Sequence, residues 1–460
     1  MNKKILERLI NAGLDTGADF SEIFYENRKE LNISFESSVI SKCTIDSTKG
    51  VGIRLAKNNE VYYASTNNLD EENLLNLTKE LGSNFNEKRN YPTLKLTAKN
   101  SVNYNPSPNI DLEQLKQIKR NLYEYDKYAR SLDKRVVQVI INVFSSVQNV
   151  LIANNKPNLV NDTRNLTRFT LKVIVKENER SESTTFSLGA NLGLEIIDDA
   201  KIYQNIEKRV KDAIEKLNAK PCPGGVMPVV IANGFGGVII HEACGHAMEA
   251  TTVADKTSIL SDKLNQVIAS PKVTIIDDGT IENACGSTHY DDEGNKTNKN
   301  ILVENGVLKR YLIDEINNRT LKQQISGSGR REGFTYAPTS RMNNTYLAKG
   351  TDNIDDMISS IKLGLYAKTM GGGQVNPATG DFNFTVLDAY MIRDGKIAEP
   401  VKGASLVGNT LEILKEIEMV SDDLELSAGA CGSISGWVPV TVGQPTIKVG
   451  KILVGGENRD

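Results

Sequence analysis

Hydrophobic positions recur along the chain at two spacings, and the changes from one to the other mark out its elements. Over residues 2–14 apolar side chains fall three and four apart, which predicts an amphipathic helix ending near Gly13. Runs at Ser21–Glu26, Asn32–Thr44, Val51–Leu55 and Val61–Ala64 carry strand patterning. Leu74, Leu75, Leu77 and Leu81 then mark a helix over residues 69–82, with acidic residues at its start. From about Asn90 to Pro108 the patterning stops. Polar residues with Pro92, Pro106 and Pro108 predict a linker or an exposed excursion. A long helix is expected from a cap at Asp111 to about Leu132. Three or four strand-like runs follow between Val136 and Thr185, and a second amphipathic helix spans about Ile196–Leu217.

Pro221-Cys222-Pro223-Gly224-Gly225 cannot continue a helix and predicts a hinge between two domains, residues 1–220 and 221–460. The second half is richer in glycine and in strand patterning. Asn305-Gly306 and Asp394-Gly395, each between apolar runs, predict hairpins. One helix is expected among these strands, after the strand Met227–Ala232 and the turn Asn233-Gly234-Phe235-Gly236-Gly237. A strand, a glycine turn and a helix also suit a phosphate loop, but neither G-x-x-x-x-G-K-[ST] nor G-x-G-x-x-G is present. The glycines are therefore assigned to close packing of the helix start against other backbone.

The bulk numbers narrow the function. A chain of 460 residues, 39% hydrophobic and 25% charged, suits two or three soluble domains with a large core. A net charge of -3 with no long Lys/Arg block argues against nucleic acid or an anionic membrane as partner. The first residues begin like a signal peptide, but Glu7 and Arg8 interrupt the apolar stretch, and no apolar run is long enough to span a bilayer. A cytoplasmic protein is expected. Its five cysteines, scattered and odd in number, are expected as thiols.

Candidate chemistry sits on the isolated helix. The chain has three histidines, and two of them, His241 and His246, flank Glu242 in His241-Glu242-Ala243-Cys244-Gly245-His246. Two imidazoles and a carboxylate are the parts of a hydrolytic zinc site. The spacing H-E-x-x-x-H is one residue longer than H-E-x-x-H. On a regular α-helix, residues five apart diverge by about 140°, against about 40° for four. The helix is therefore expected to widen into a π-bulge or to break between Glu242 and His246, with Gly245 as the place for it. A catalytic zinc needs a third protein ligand, and Cys431, Cys244, Cys285, His289, Asp291 and Asp292 are all available. Core packing is the alternative role for the Cys244 thiol.

These residues resemble the TldD/PmbA family of metalloproteases. Beside His241–Glu249, the resemblance rests on Gly286-Ser287 with Asp291-Asp292-Glu293-Gly294, on Gly329-Arg330-Arg331-Glu332 and on Arg341-Met342-Asn343-Asn344-Thr345. It continues through Gly371-Gly372-Gly373-Gln374-Val375, Ala378-Thr379-Gly380, Pro400-Val401-Lys402-Gly403-Ala404 with Gly408-Asn409, and Cys431-Gly432 followed by Val438–Thr446. Because the chain keeps H-E-x-x-x-H, it resembles the metal-bearing, TldD-type subunits. The resemblance implies His241, His246 and Cys431 as ligands of one zinc ion, with Glu242 as the general base acting on zinc-bound water. It implies a zinc-dependent metallopeptidase that hydrolyses peptide bonds in unfolded polypeptides or peptides, held as an added β-strand. It also implies a dimer, either a homodimer or a heterodimer with a motif-less paralogue.

The matching Arg330 and Arg331 are candidates to hold a substrate carboxylate or an oxyanion, or else to pair with Glu332 or the Asp291–Glu293 loop. Asp291, Asp292 and Glu249 are candidates to orient an imidazole, with a solvated helix face the alternative for Glu249. The fold class expected is α+β: an N-terminal α/β-type domain, then a strand-rich C-terminal domain carrying one metal-binding helix. Two other readings are a peptide-maturation hydrolase with one dedicated substrate and a non-catalytic partner subunit with a structural metal.

Overall fold

The computed structural model describes residues 1–85, 92–100, 112–156, 158–198 and 200–456. Its fold is mixed α+β and rich in strand. The first helix, α1 (Lys3–Asp15), starts where the Asn2 side chain accepts the Ile5 N–H at 3.0 Å. It buries Leu6, Leu9, Ile10 and Leu14, whose spacing is that of one helix face, against Ile23, Val51 and Ile53. Those last three lie on β1 (Phe20–Glu36) and β2 (Val39–Lys57), which lead on to β3 (Glu60–Thr66). The expected strand over Asn32–Thr44 is in fact parts of two strands. The chain reverses at Ser37-Ser38, whose φ angles are 52° and 59°. A two-residue hairpin turn needs positive φ, and serine gives none of the asparagine or glycine signal that usually announces one.

α2 (Glu71–Gly82) is capped by Asp70, which accepts the Asn73 N–H. The polar stretch beyond it is not all linker. Thr97–Asn100 forms β4, parallel to Asn158–Asn161, while residues 90–91 and 101–108 and the Asp111 cap lie outside the described residues. After α3 (Leu112–Leu132) come three long strands, β5 (Val136–Asn154), β6 (Asn158–Glu177) and β7 (Arg180–Ala190). The helix expected over Ile196–Leu217 begins as a 3₁₀ turn, Leu194–Asp198, and becomes α4 at Lys201–Lys216. The sheet order is β3-β2-β1-β5-β6, with β4 and β7 both pairing with β6. Leu122 and Tyr125 of α3 and Ile202 and Ile206 of α4 pack with Val139, Ile141 and Phe169 of the sheet.

The proline–glycine segment after α4 is tied down. Lys220–Pro221 pairs in parallel with Val401-Lys402, and the Cys222 N–H bonds the Lys402 carbonyl at 2.8 Å. Five strands then close on themselves. Leu363–Val375 pairs with Gly225–Ile231, which pairs with Ile447–Gly455. The ring continues through Ser405–Asn409 and Asp381–Arg393 back to Leu363–Val375. Closure removes the exposed edges that an open sheet would present. A second sheet runs Val307–Leu308, Lys299–Glu304, Ile275–Asp278, Asn344–Leu347, Gly436–Gln444, Glu425–Ser433. The two expected hairpins are present: φ is 47° and 83° at Asn305-Gly306, and 46° and 74° at Asp394-Gly395. The segment carrying the histidines packs between the closed barrel and this sheet. Among the described residues no helix is long and apolar enough to cross a membrane.

Candidate metal centre

The Gly225–Ile231 strand delivers the chain into a rapid succession of turns. A 3₁₀ turn at Gly234–Gly237 passes into an α turn at Val238–Ile240, a π turn at His241–Gly245 and a second 3₁₀ turn at His246–Met248. The residue in excess of four is thus absorbed by widening the helix, and both imidazoles come to one side. Their rings lie edge to face with centroids 5.4 Å apart. A widened turn disturbs the carbonyl ladder, and a buried carbonyl needs a donor. Thr410, a residue without signal in the sequence, donates its hydroxyl to the Ala243 carbonyl at 2.7 Å.

Close approach explains two of the glycines. A Cβ on Gly237 would fall 2.4 Å from Gly443 backbone, and one on Gly245 would fall 1.8 Å from the Met342 sulfur. Overpacking of this kind costs about 1–3 kcal/mol, more than the roughly 0.5–1 kcal/mol an alanine gains over glycine inside a helix. Gly245→Ala should therefore lower the melting temperature, and Met342→Val in the same chain should recover part of the loss. A melting temperature unchanged by Gly245→Ala alone would show that the turn has room.

His241, His246 and Cys431 offer ligand atoms that all lie within 4.8 Å of one another. Cys431 reaches the cluster from the edge strand Glu425–Ser433, and its Sγ is 3.2 Å from His246 Nε2 across 185 residues of sequence. On its other side, the His246 ring meets Glu249, with Nδ1 and Oε2 3.1 Å apart. A carboxylate on Nδ1 turns Nε2 toward the cluster and raises its basicity, an arrangement common behind metal-bound histidines. Burial pulls the His246 pKa down, but the Glu249 carboxylate and Cys431 outweigh it and hold it well above the usual value. Glu249 is not on a solvated helix face. It is extended, with ψ 129°, held by a bridge to Leu312, and buried.

Arg341 is a second residue whose role the sequence does not mark. Fully buried, it donates to the carbonyls of Cys431 (2.7 Å) and Gly436 (3.0 Å), and its Nε lies 3.6 Å from Glu249 Oε1. One guanidinium thereby ties the cysteine hairpin to the carboxylate behind His246.

His241 is only 2% exposed, and neither of its ring nitrogens has a hydrogen-bond partner. Burial, with the positive charges of His246, Arg341 and Arg330, pushes its pKa well below 6.5 and keeps the imidazole neutral. Unpaired buried polar atoms cost about 1–3 kcal/mol each. A cation bound at one nitrogen would lift that cost, and a donor set of two imidazoles and a thiol suits zinc. The residues present therefore fit the metal. Glu242 stands beside the cluster with its carboxylate 3.5 Å from His246 Nε2 and its side chain 22% exposed. Burial raises its pKa above the usual carboxylate value.

The remaining candidates lie elsewhere. Cys244 packs in the core, where burial raises its thiol pKa, and Cys285, pushed up to about 11 by burial, lines a separate cavity. His289 Nδ1 sits 3.6 Å from Asp162. Asp291 accepts backbone N–H groups from Glu293, Asn295 and Gly329, and so shapes its own loop. Asp292 pairs with Arg164 and accepts the Arg331 N–H. Arg331 itself is anchored on Glu22 of the N-terminal sheet at 2.6 Å and lies over the Phe24 ring. Arg330 donates to the carbonyls of Met342 and Pro439 (2.6 Å to the latter). Neither arginine pairs with Glu332, whose carboxylate takes the Trp437 N–H.

Comparison with known proteins places this geometry in context. Residues 21–84 match PmbA/TldA metallopeptidase domain 1, residues 105–219 the central domain of those metallopeptidases, and residues 224–456 their C-terminal domain. The Metalloprotease TldD homolog of Haemophilus influenzae is 35% identical over 456 residues, covering 96% of this chain and 93% of the relative. The Zinc metalloprotease TldD homolog of Saccharolobus solfataricus is 25% identical, covering 98% and 99%. The crystal structure of TldE from Thermococcus kodakarensis superposes with a TM-score of 0.76 at 20% identity, covering 98% of this chain and 100% of that one.

Proposed function

The chain belongs to the TldD/PmbA family of metallopeptidases, and on that premise we propose that it is a zinc-dependent peptidase hydrolysing peptide bonds in unfolded polypeptides or peptides. The observation that carries this reading is His241, buried with both nitrogens unpaired beside His246 and Cys431. These three side chains would hold the ion. Zinc bound there supplies Lewis-acid polarisation of a carbonyl and a water acidic enough to react near neutral pH.

The other steps fall to the chain's own groups. Glu242 takes the proton of the attacking water and returns it to the leaving amine, and its raised pKa makes it a stronger base than an ordinary carboxylate. Glu249 meets Nδ1 of His246 and so holds the ring with Nε2 turned toward the cluster. The Leu363–Val375 strand packs against the π turn and offers a place for substrate. Its residues 365–367 pair on both sides, whereas beyond them Thr369, Met370 and 373–375 pair only with Asp381–Arg393, across register shifts that skip Lys368, Gly371 and Gly372. An open strand edge binds extended backbone with little regard to sequence, which suits an unfolded substrate. The remaining exposure of Glu242 favours catalysis over a structural metal, because a structural site is closed and needs no base. We assign the working form to the cytoplasm, as a dimer with itself or with a motif-less paralogue.

The test is hydrolysis of a denatured protein or a peptide mixture by the purified native assembly. New amino termini should appear, disappear on treatment with a chelator and return on adding zinc. Cleavage indifferent to the chelator would overturn the proposal.

A further inference from the structure

A cavity of about 560 Å³ lies between the N-terminal sheet and the segments carrying Cys285, Arg330 and Pro439. Six cationic and four acidic side chains line it. All four acids are satisfied within the chain. Glu30 pairs with Arg28, Asp292 with Arg164, Asp291 takes three backbone N–H groups, and Glu332 takes that of Trp437. Three cations are spent likewise: Arg28 and Arg164 on those acids, and Arg331 on Glu22. Lys42, Arg168 and Arg330 remain, with no carboxylate at ion-pair distance among the described residues.

Arg330 is the unusual member. It is 5% exposed and aimed by two carbonyls, yet no carboxylate of the described residues touches it, and Asp292 and Asp277 act on it only from beyond ion-pair distance. Burying a charge without a contacting partner is costly, and burial, only partly offset by Asp292 and Asp277, pulls its pKa down to about 10. A guanidinium held in fixed orientation is suited to the planar fork of a carboxylate. The cavity also borders the cysteine hairpin, since Ala430 and Pro439 line it next to Cys431 and its cross-strand neighbour Val438.

We infer that this cavity is a carboxylate subsite, in which Arg330 and Arg168 receive the free C-terminal carboxylate of a bound peptide. This rests on the peptidase reading for the identity of the ligand, and it assigns the site a preference for chain ends. The only tryptophan in the sequence, Trp437, lines the cavity and reports on its occupancy.

The experiment uses the native assembly carrying Glu242→Ala, so that binding is measured without turnover. A short neutral peptide with a free C-terminus, the same peptide amidated, and inorganic phosphate are each titrated against Trp437 fluorescence. The free acid should bind saturably, with the amide and phosphate weaker by about tenfold or more, as for a lost charge-assisted contact. Arg168→Gln, at a half-buried position chosen to spare the fold, should shrink the difference between acid and amide several-fold while Arg330 keeps the rest, and Arg168→Lys should restore part of the loss. Equal binding of acid and amide, or tighter binding of phosphate, would overturn the assignment. Preserved discrimination in a wild-type chain that cleaves nothing would refute the peptidase reading and leave the subsite standing.

Discussion

Replacing Glu242 by alanine should lower peptide hydrolysis by about 10²–10⁴-fold, the usual worth of a positioned general acid–base group. Metal content should stay as in the wild type. The two halves of this expectation separate base from ligand. Glu242 is beside the cluster rather than in it, with its carboxylate 3.5 Å from His246 Nε2, while the mutually close ligand atoms come from His241, His246 and Cys431. Glu242→Gln keeps the shape and removes only the basicity, so it should fall almost as far. The pH profile gives an independent check. Activity needs the ionised carboxylate, and burial raises the pKa of Glu242. The acidic limb of kcat/KM should therefore lie above the ordinary glutamate range, with activity lost as pH falls through it. Metal analysis and steady-state rates on the same preparations decide the matter. If Glu242→Ala cleaves at the wild-type rate, the base is another group.

How much of this was legible in the sequence depends on how local the determining interactions are. Periodic apolar faces such as Leu6, Leu9, Ile10 and Leu14 declare a helix by themselves, and Asn-Gly and Asp-Gly turns declare positive φ. The turn at Ser37-Ser38 was hidden because its φ angles are imposed by the pairing of two long strands rather than by residue preference. The wide turn at His241–Gly245 was legible, since five residues cannot bring two ligands to one face of a regular helix. Its supports were not. Thr410 lies 167 residues from the carbonyl it satisfies, and nothing near it in sequence marks it as a donor. Arg341 stood within a motif, but its joining of Cys431 to Glu249 exists only once the sheet that carries Cys431 has formed against the segment after His246. Arg331, a candidate for substrate, has its charge taken by Glu22, 309 residues away in the N-terminal sheet. Long-range polar pairing leaves no period in a sequence, and so structure had to supply it.

Replacing Cys431 by serine should strip the zinc. Removing even a partner that only orients a ligand weakens metal affinity by about 10–100-fold. Loss of a ligand atom itself should cost at least the upper end of that range. Serine is nearly isosteric, so the strand pairing of Cys431 with Val438 and the Arg341 bond to the residue 431 carbonyl have no reason to change. What changes is the donor: a hydroxyl stays protonated near neutral pH, whereas a thiol beside a zinc ion ionises to a strong ligand. The control is Cys244→Ala, which removes a thiol inside the histidine motif that packs in the core and is not among the three close ligand atoms. That variant should keep its zinc. Elemental analysis of both variants beside the wild type separates a ligand thiol from a packing one. Full zinc occupancy in Cys431→Ser would remove the third ligand from the proposed centre, and the place would fall to a neighbouring carboxylate such as Glu242, 3.5 Å from His246 Nε2.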